Sequence, residues 1–166
     1  IMMKRFKRSP VLWLLIVLLM LTSLPISARA EGEKPSGNVL KFQLNNKTSI
    51  VNGSMVTMDV APTSVNGRTL IPVVYVANPL GAKVDWDGST KKVTIVLKNT
   101  TLELWIGNAT AKVNGADTPI DPANSEVKPI ILSGRTMLPL RFVAEKLGCD
   151  VAWDAATKGI TISEKI

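Results

Sequence analysis

The stretch Gly67–Ile95, GRTLIPVVYVANPLGAKVDWDGSTKKVTI, is written a second time at Gly134–Ile162, GRTMLPLRFVAEKLGCDVAWDAATKGITI. A constant offset of 67 aligns the two copies without a gap, and fifteen positions are identical. Among them are Gly67/Gly134, Arg68/Arg135, Pro72/Pro139, Gly81/Gly148 and Trp86/Trp153. A chain that repeats a unit of this size folds as related parts, so the duplication constrains the architecture before composition does.

Each copy reads as a short helix, a tight link and a β-hairpin. Pro139 suits the first turn of a helix, where its missing N–H has no intrahelical partner to lose. Leu140, Val143, Ala144 and Leu147 then fall on one apolar face, and Gly148 stands where a left-handed residue closes the helix. Asp150–Trp153 and Gly159–Ser163 are the two strands, with Asp154–Lys158 turning between them. In the first copy Asn78-Pro79 replaces Glu145-Lys146. A proline inside a helix costs about 3 kcal/mol, so the first helix is expected to be one short turn ending near Ala77. Val74 replaces Arg141, so only the second copy can form the Arg141/Glu145 pair. An exposed i,i+4 pair is worth about 0.2–0.5 kcal/mol, and its expected role is to orient a helix.

The duplication extends upstream. Asn52-Gly53 and Asn114-Gly115 each follow a valine at an offset of 62, and Asn-Gly favours the positive φ angles of a type I′ hairpin. Five extra residues in the second copy separate that hairpin from Pro129, the counterpart of Pro62. Val39–Leu44 reads as a further strand, and Lys92–Leu97 with Thr101–Ile106 as a further hairpin. Half a chain with one short helix has a marginal core of its own. The expectation is therefore one α+β domain over residues 39–166, with antiparallel hairpins wrapped around one or two short helices. Its two interlocked repeats cover about 48–97 and 109–163.

The first thirty residues stand apart. Lys4, Arg5, Lys7 and Arg8 precede an apolar run from Val11, and Ala28-Arg29-Ala30 sets small residues at −3 and −1 before Glu31. This reads as a secretory signal peptide cleaved between Ala30 and Glu31, followed by a flexible leader over 31–38. Five of the 20 basic residues and none of the 13 acidic ones lie in that signal. The formal charge of +7 thus falls to +2 beyond it, 15 basic against 13 acidic, with no basic run to hold a nucleic acid. The expected location is outside the cell, at the cell wall, with no membrane contact after cleavage. Cys149 is the single cysteine and aligns with Ala82, so it reads as a small buried residue and not as half of a disulfide.

Reactive chemistry finds little to work with. There is no histidine, the common ligand for copper and zinc and the base of Ser–His and Cys–His pairs. Asp85, Asp87 and Asp154 are the carboxylates to weigh for glycoside hydrolysis. Asp87 and Asp154, however, each follow a tryptophan at a hairpin turn, where an aspartate bonds the backbone two residues on. No catalytic residue, metal site or cofactor is expected. Trp86 and Trp153 recur beside the helix and read as core. Trp105 lies opposite in phase to Leu104 and is the candidate exposed aromatic for binding. Arg68 and Arg135 follow turn glycines; the expectation is that they anchor loop carbonyls, with a grip on an anionic polymer as the other reading.

The text GRT-x-x-P-x-R-F-V-A-E-K-L-G-x-x-V-x-W-D, preceded by V-N-G, resembles the copper amine oxidase N-terminal-like domain, also called the stalk domain. Gly134-Arg135-Thr136, Pro139, Arg141, Ala144-Glu145, Leu147-Gly148 and Trp153 carry the resemblance in the second copy. Gly67-Arg68-Thr69, Pro72, Leu80-Gly81 and Trp86 carry it in the first, where Val74 and Asn78-Pro79 depart from it. The resemblance implies export and an antiparallel sheet wrapped around a helix, without oxidase activity. It suggests a non-catalytic spacer or binding module of the cell envelope. The implied partner is a wall polymer or another exported protein met through a sheet edge, and a hydrolase using the aspartates is the remote alternative.

Overall fold

The structure is a computed structural model that describes residues 37–166. The signal segment, its cleavage residues Ala28, Ala30 and Glu31, and most of the 31–38 leader lie outside the described residues. From Val39 the chain alternates hairpins and helices. The first half comprises β1 (Val39–Gln43), β2 (Thr48–Val51), β3 (Ser54–Thr57), β4 (Thr63–Val65), β5 (Arg68–Pro72), α1 (Val74–Ala77), β6 (Lys83–Asp87) and β7 (Lys92–Leu97). The second half repeats the order with β8 (Thr100–Trp105), β9 (Thr110–Val113), β10 (Ala116–Pro119), β11 (Ile130–Leu132), β12 (Arg135–Pro139), α2 (Leu140–Lys146), β13 (Cys149–Asp154) and β14 (Gly159–Glu164).

The strands form three antiparallel sheets, ordered β13-β14-β1-β2-β3, β10-β9-β8-β7-β6 and β11-β12-β5-β4. Strand accounts for 51% of the described residues and helix for 8%, so the fold is predominantly β and the α+β expectation is corrected. The reason lies in two hairpins to which the sequence reading assigned no strands, over residues 63–72 and 130–139. Asn66-Gly67 (φ 50° and 75°) and Ser133-Gly134 (φ 49° and 75°) adopt the same paired positive φ as Asn52-Gly53 and Asn114-Gly115. They turn the chain ahead of each helix into the four-stranded sheet. The helices left over have four and seven residues. The first ends at Ala77, ahead of Pro79, as its sequence predicted.

Neither copy completes a sheet alone. In one five-stranded sheet β1, β2 and β3 of the first half pair with the β13–β14 hairpin of the second; in the other, β6 and β7 pair with β8, β9 and β10. The bonding repeats across the exchange. Val39 N–H donates to Asn52 Oδ1 at 2.8 Å and Thr101 N–H to Asn114 Oδ1 at 2.8 Å. Asn45 N–H reaches the Pro62 carbonyl at 2.8 Å and Gly107 N–H the Pro129 carbonyl at 2.9 Å. β1 and β8 are therefore counterparts, a match that divergence of their side chains (Gln43 against Trp105) conceals in the sequence.

The halves meet through β5 and β12, where Leu70 faces Pro139, Ile71 faces Leu138 and Pro72 faces Met137. Since Leu70/Met137, Ile71/Leu138 and Pro72/Pro139 are equivalents, the Ile71–Leu138 pair sits on an approximate two-fold axis. Both are 1% exposed. They belong to one continuous hydrophobic cluster that takes Leu40, Val76 and Ile95 from the first half and Leu102, Val143 and Ile162 from the second. The α2 helix lies on β13, β12, β8 and β5, and α1 on β5 and β6. Cys149 is buried and unpaired, and burial pushes its thiol pKa up.

Candidate binding groove

The repeated arginines do more than hold loops. Arg68 Nε donates to Asp121 Oδ2 at 2.7 Å, while its Nη1 reaches the Gly67 carbonyl at 3.2 Å. Arg135 Nε donates to Asp59 in the same way. Asp59 and Asp121 are equivalents at the offset of 62, so each half offers an arginine to the other half's aspartate. Loop carbonyls were the expected partners; the main ones are carboxylates in the opposite copy. Partial desolvation raises the Asp59 carboxyl, but the Arg135 hydrogen bond and charge, with the Val60 N–H, hold it below its ordinary value.

Beside the Arg68–Asp121 clamp opens a groove of about 740 Å³. Its floor is Leu140 and Phe142 of α2 with Ile120 and Val127; its rim carries Arg141, Glu145, Lys146, Val151 and Trp153. The five-residue excess of the second half forms part of one wall. That loop is tied to the β4–β5 turn by Asn66 Nδ2 to the Glu126 carbonyl at 2.9 Å and Asn124 Nδ2 to the Asn66 carbonyl at 3.0 Å. Arg141 Nη1 lies 3.2 Å from Glu145 Oε1, the pair expected from the sequence, and 3.5 Å from the Val151 carbonyl on the outer side of β13. Lys146 Nζ stands 5.8 Å from the centroid of the Phe142 ring.

The tryptophans reverse the expectation. Trp153 is 46% exposed and Trp86 43%, not core. Their faces were read correctly, since Trp153 lies opposite buried Ile160 and Trp86 opposite buried Val93. Both, however, stand on edge strands, and the short helices do not extend to cover them. Trp105 is half-buried on the outer face of its sheet, with Lys92 Nζ 6.0 Å from its ring centroid and Lys92 in turn paired to Glu103 at 2.9 Å. It does not line the groove. Gly81 and Gly148 take the positive φ expected of helix-closing residues, 77° and 84°.

The aspartates weighed for hydrolysis are held in turns. Asp87 Oδ1 accepts from the Ser89 N–H and hydroxyl, and its Oδ2 from the Thr90 hydroxyl. The Ser89 hydroxyl leads these bonds in lowering the Asp87 pKa to about 2. Asp154 is lowered first by the Thr157 hydroxyl and then by the Ala156 N–H. Two carboxylates do line the groove, Asp121 and Glu145, and each is engaged by an arginine. Among the described residues no group of three or more potential metal ligands occurs. Asp121, Phe142 and Lys146 were missed as site residues; the length excess after Asp121, unique to one copy, was the signal available.

In the first half the corresponding space is occupied differently. Tyr75, the equivalent of Phe142, receives the Asp59 N–H on its hydroxyl oxygen at 3.3 Å and donates back to Asp59 Oδ1 at 3.4 Å. Val74, Asn78 and Pro79 stand where the second half has Arg141, Glu145 and Lys146.

A search of curated proteins returned no match to the chain. The sequence profile of the copper amine oxidase N-terminal domain matches it twice, over residues 34–87 and 50–163, and that family is a non-catalytic module. These two matches run across both interlocked copies, and the chain belongs to the copper amine oxidase N-terminal domain family.

Proposed function

We propose that the chain is an exported, non-catalytic binding module of the cell envelope that holds a wall polymer in the groove beside Trp153. One observation carries this reading: an open groove of about 740 Å³ whose carboxylates are neutralised by arginines and whose rim presents a bare indole. A paired carboxylate is a poor proton shuttle but a good fixed acceptor for hydroxyl groups. The signal-like residues 1–30 and the family's non-catalytic character support the same reading. The test is co-sedimentation of the chain from Glu31 onward with purified cell-wall sacculi. Retention that Trp153→Ala reduces at least tenfold is expected; absence of retention at low salt sinks the proposal.

A second reading, docking of another exported protein by strand addition, is favoured by the β3 edge. β6, β10 and β13, the other outer strands of the five-stranded sheets, carry Asp85, Asp117 and Pro119, and Asp150, the charges and proline that discourage edge pairing. β3 reads Ser54-Met55-Val56-Thr57, with Met55 79% exposed beside Ile50. Cross-linking of the chain to a captured exported protein, abolished by Met55→Lys and untouched by Trp153→Ala, is the outcome that would select it.

A further inference from the structure

We infer that the groove is a site for a glycan whose sugars carry carboxylates. The inference rests on the polymer-binding reading above and names the ligand chemistry. The groove lining holds three cations, Arg68, Arg141 and Lys146, against two carboxylates, Asp121 and Glu145. Arg68 and Arg141 each have a carboxylate partner, at 2.7 Å and 3.2 Å. Among the described residues Lys146 pairs with no carboxylate and stands over the Phe142 ring, so an anionic ligand gains one unspent cation at the rim. Trp153 supplies a flat apolar surface, which suits the C–H face of a pyranose ring. The Arg141–Glu145 pair, joined by one contact at 3.2 Å, leaves guanidinium donors and a carboxylate oxygen for the ring hydroxyls around it.

An extended peptide fits less well. Strand addition along β13 needs its outward carbonyls, and the Arg141 guanidinium already covers that of Val151 at 3.5 Å. The counterpart in the first half has Trp86 at 43% exposure but neither Arg141 nor Lys146, their places being taken by Val74 and Pro79. One acidic glycan per chain is therefore the expected stoichiometry.

The experiment is calorimetric titration of the full chain from Glu31 with tetragalacturonate, its methyl ester and tetraglutamate, alongside sedimentation with sacculi. Tetragalacturonate should bind one per chain and weaken as salt rises. The uncharged ester and the peptide should bind at least tenfold more weakly. Trp153→Ala should lose at least tenfold and Lys146→Gln about fivefold, while Trp86→Ala, on an equally exposed residue, should change nothing. Equal binding of acid and ester, equal binding of tetraglutamate, or equal damage from Trp86→Ala overturns the inference. Sedimentation without tetragalacturonate binding overturns it and leaves the envelope reading standing; tetragalacturonate binding without sedimentation overturns the envelope reading instead.

Discussion

The two halves share a backbone plan and differ in what they do with one space. In the second, Phe142 has no hydroxyl to reach Asp121, Arg141 and Lys146 take the rim, and five extra residues build a wall. In the first, Tyr75 closes onto Asp59 through its hydroxyl and Asn78-Pro79 cuts the helix short. The elements that hold the halves together, Arg68–Asp121 with Arg135–Asp59 and Ile71 with Leu138, are the same on both sides. The lesson is that the clamp and the axis belong to folding, and the groove belongs to whatever the second half acquired alone.

The strongest test of that division is at the axis. Leu138→Ala and Ile71→Ala each remove a buried aliphatic side chain, and each should cost about 2–5 kcal/mol in urea unfolding. Because the pair occupies equivalent sites, the two losses should agree within about 1 kcal/mol. A large disparity would mean that the axis is symmetric in register only.

The clamps should separate the halves more finely. The Asp121 side chain is 14% exposed and that of Asp59 38%. Arg68→Ala strips the better-buried carboxylate of its cation, leaving it the Ala123 N–H at 3.0 Å, and should lower the melting temperature more than Arg135→Ala does. Equal losses in thermal unfolding would erase the distinction between the two sides.

Exchanging the aromatic pair comes next. Tyr75→Phe gives up two long hydrogen bonds and should cost about 0.5 kcal/mol. Phe142→Tyr introduces a hydroxyl on the Asp121 side and should weaken ligand uptake in the groove with little change in stability. Unaltered uptake would show that Phe142 does not shape the site.

The smallest effect is the acid response of the turns. Asp87 is held at about 2 chiefly by the Ser89 hydroxyl, so its folded-state value lies below its unfolded one near 3.9. A depressed carboxylate contributes stability above the unfolded value and loses it as pH falls toward the folded one. Melting temperature should therefore drop between about pH 4 and 2, and Asp87→Asn should flatten that drop. Asp154→Asn should act in the same direction in the other half, where the Thr157 hydroxyl leads the lowering.

Much of the fold was legible where local chemistry decides it. Asn52-Gly53 and Asn114-Gly115 declare their hairpins, Gly81 and Gly148 close their helices, and Pro79 limits the first helix to one turn. What escaped was the pairing partner. Nothing local tells β1 to bond with β14, because register is set across the whole chain and the matching residues at β8 have diverged. The dominance of strand escaped because Thr63–Val65 and Ile130–Leu132 are only three residues long, too short to display alternation, even though Asn66-Gly67 carries the same turn signal as Asn52-Gly53. At the site, the Arg141/Glu145 pair was readable from spacing alone, whereas the Arg68–Asp121 clamp joins residues 53 apart. The tryptophans were assigned the correct face and the wrong depth, since face follows strand alternation and depth follows what happens to lie above an edge.

The exchange of strands between the halves also dictates a timetable. Val39 faces Ser163 in the β1–β14 pair, so β1, which meets β2 early, finds its other neighbour only once β14 has been made. Until then β1 to β3 have a hairpin but an unfinished sheet, and the loop that must close spans nearly the whole domain. Completion is thereby deferred until β14 has been made, and a chain cut short before β14 cannot pass for a finished domain.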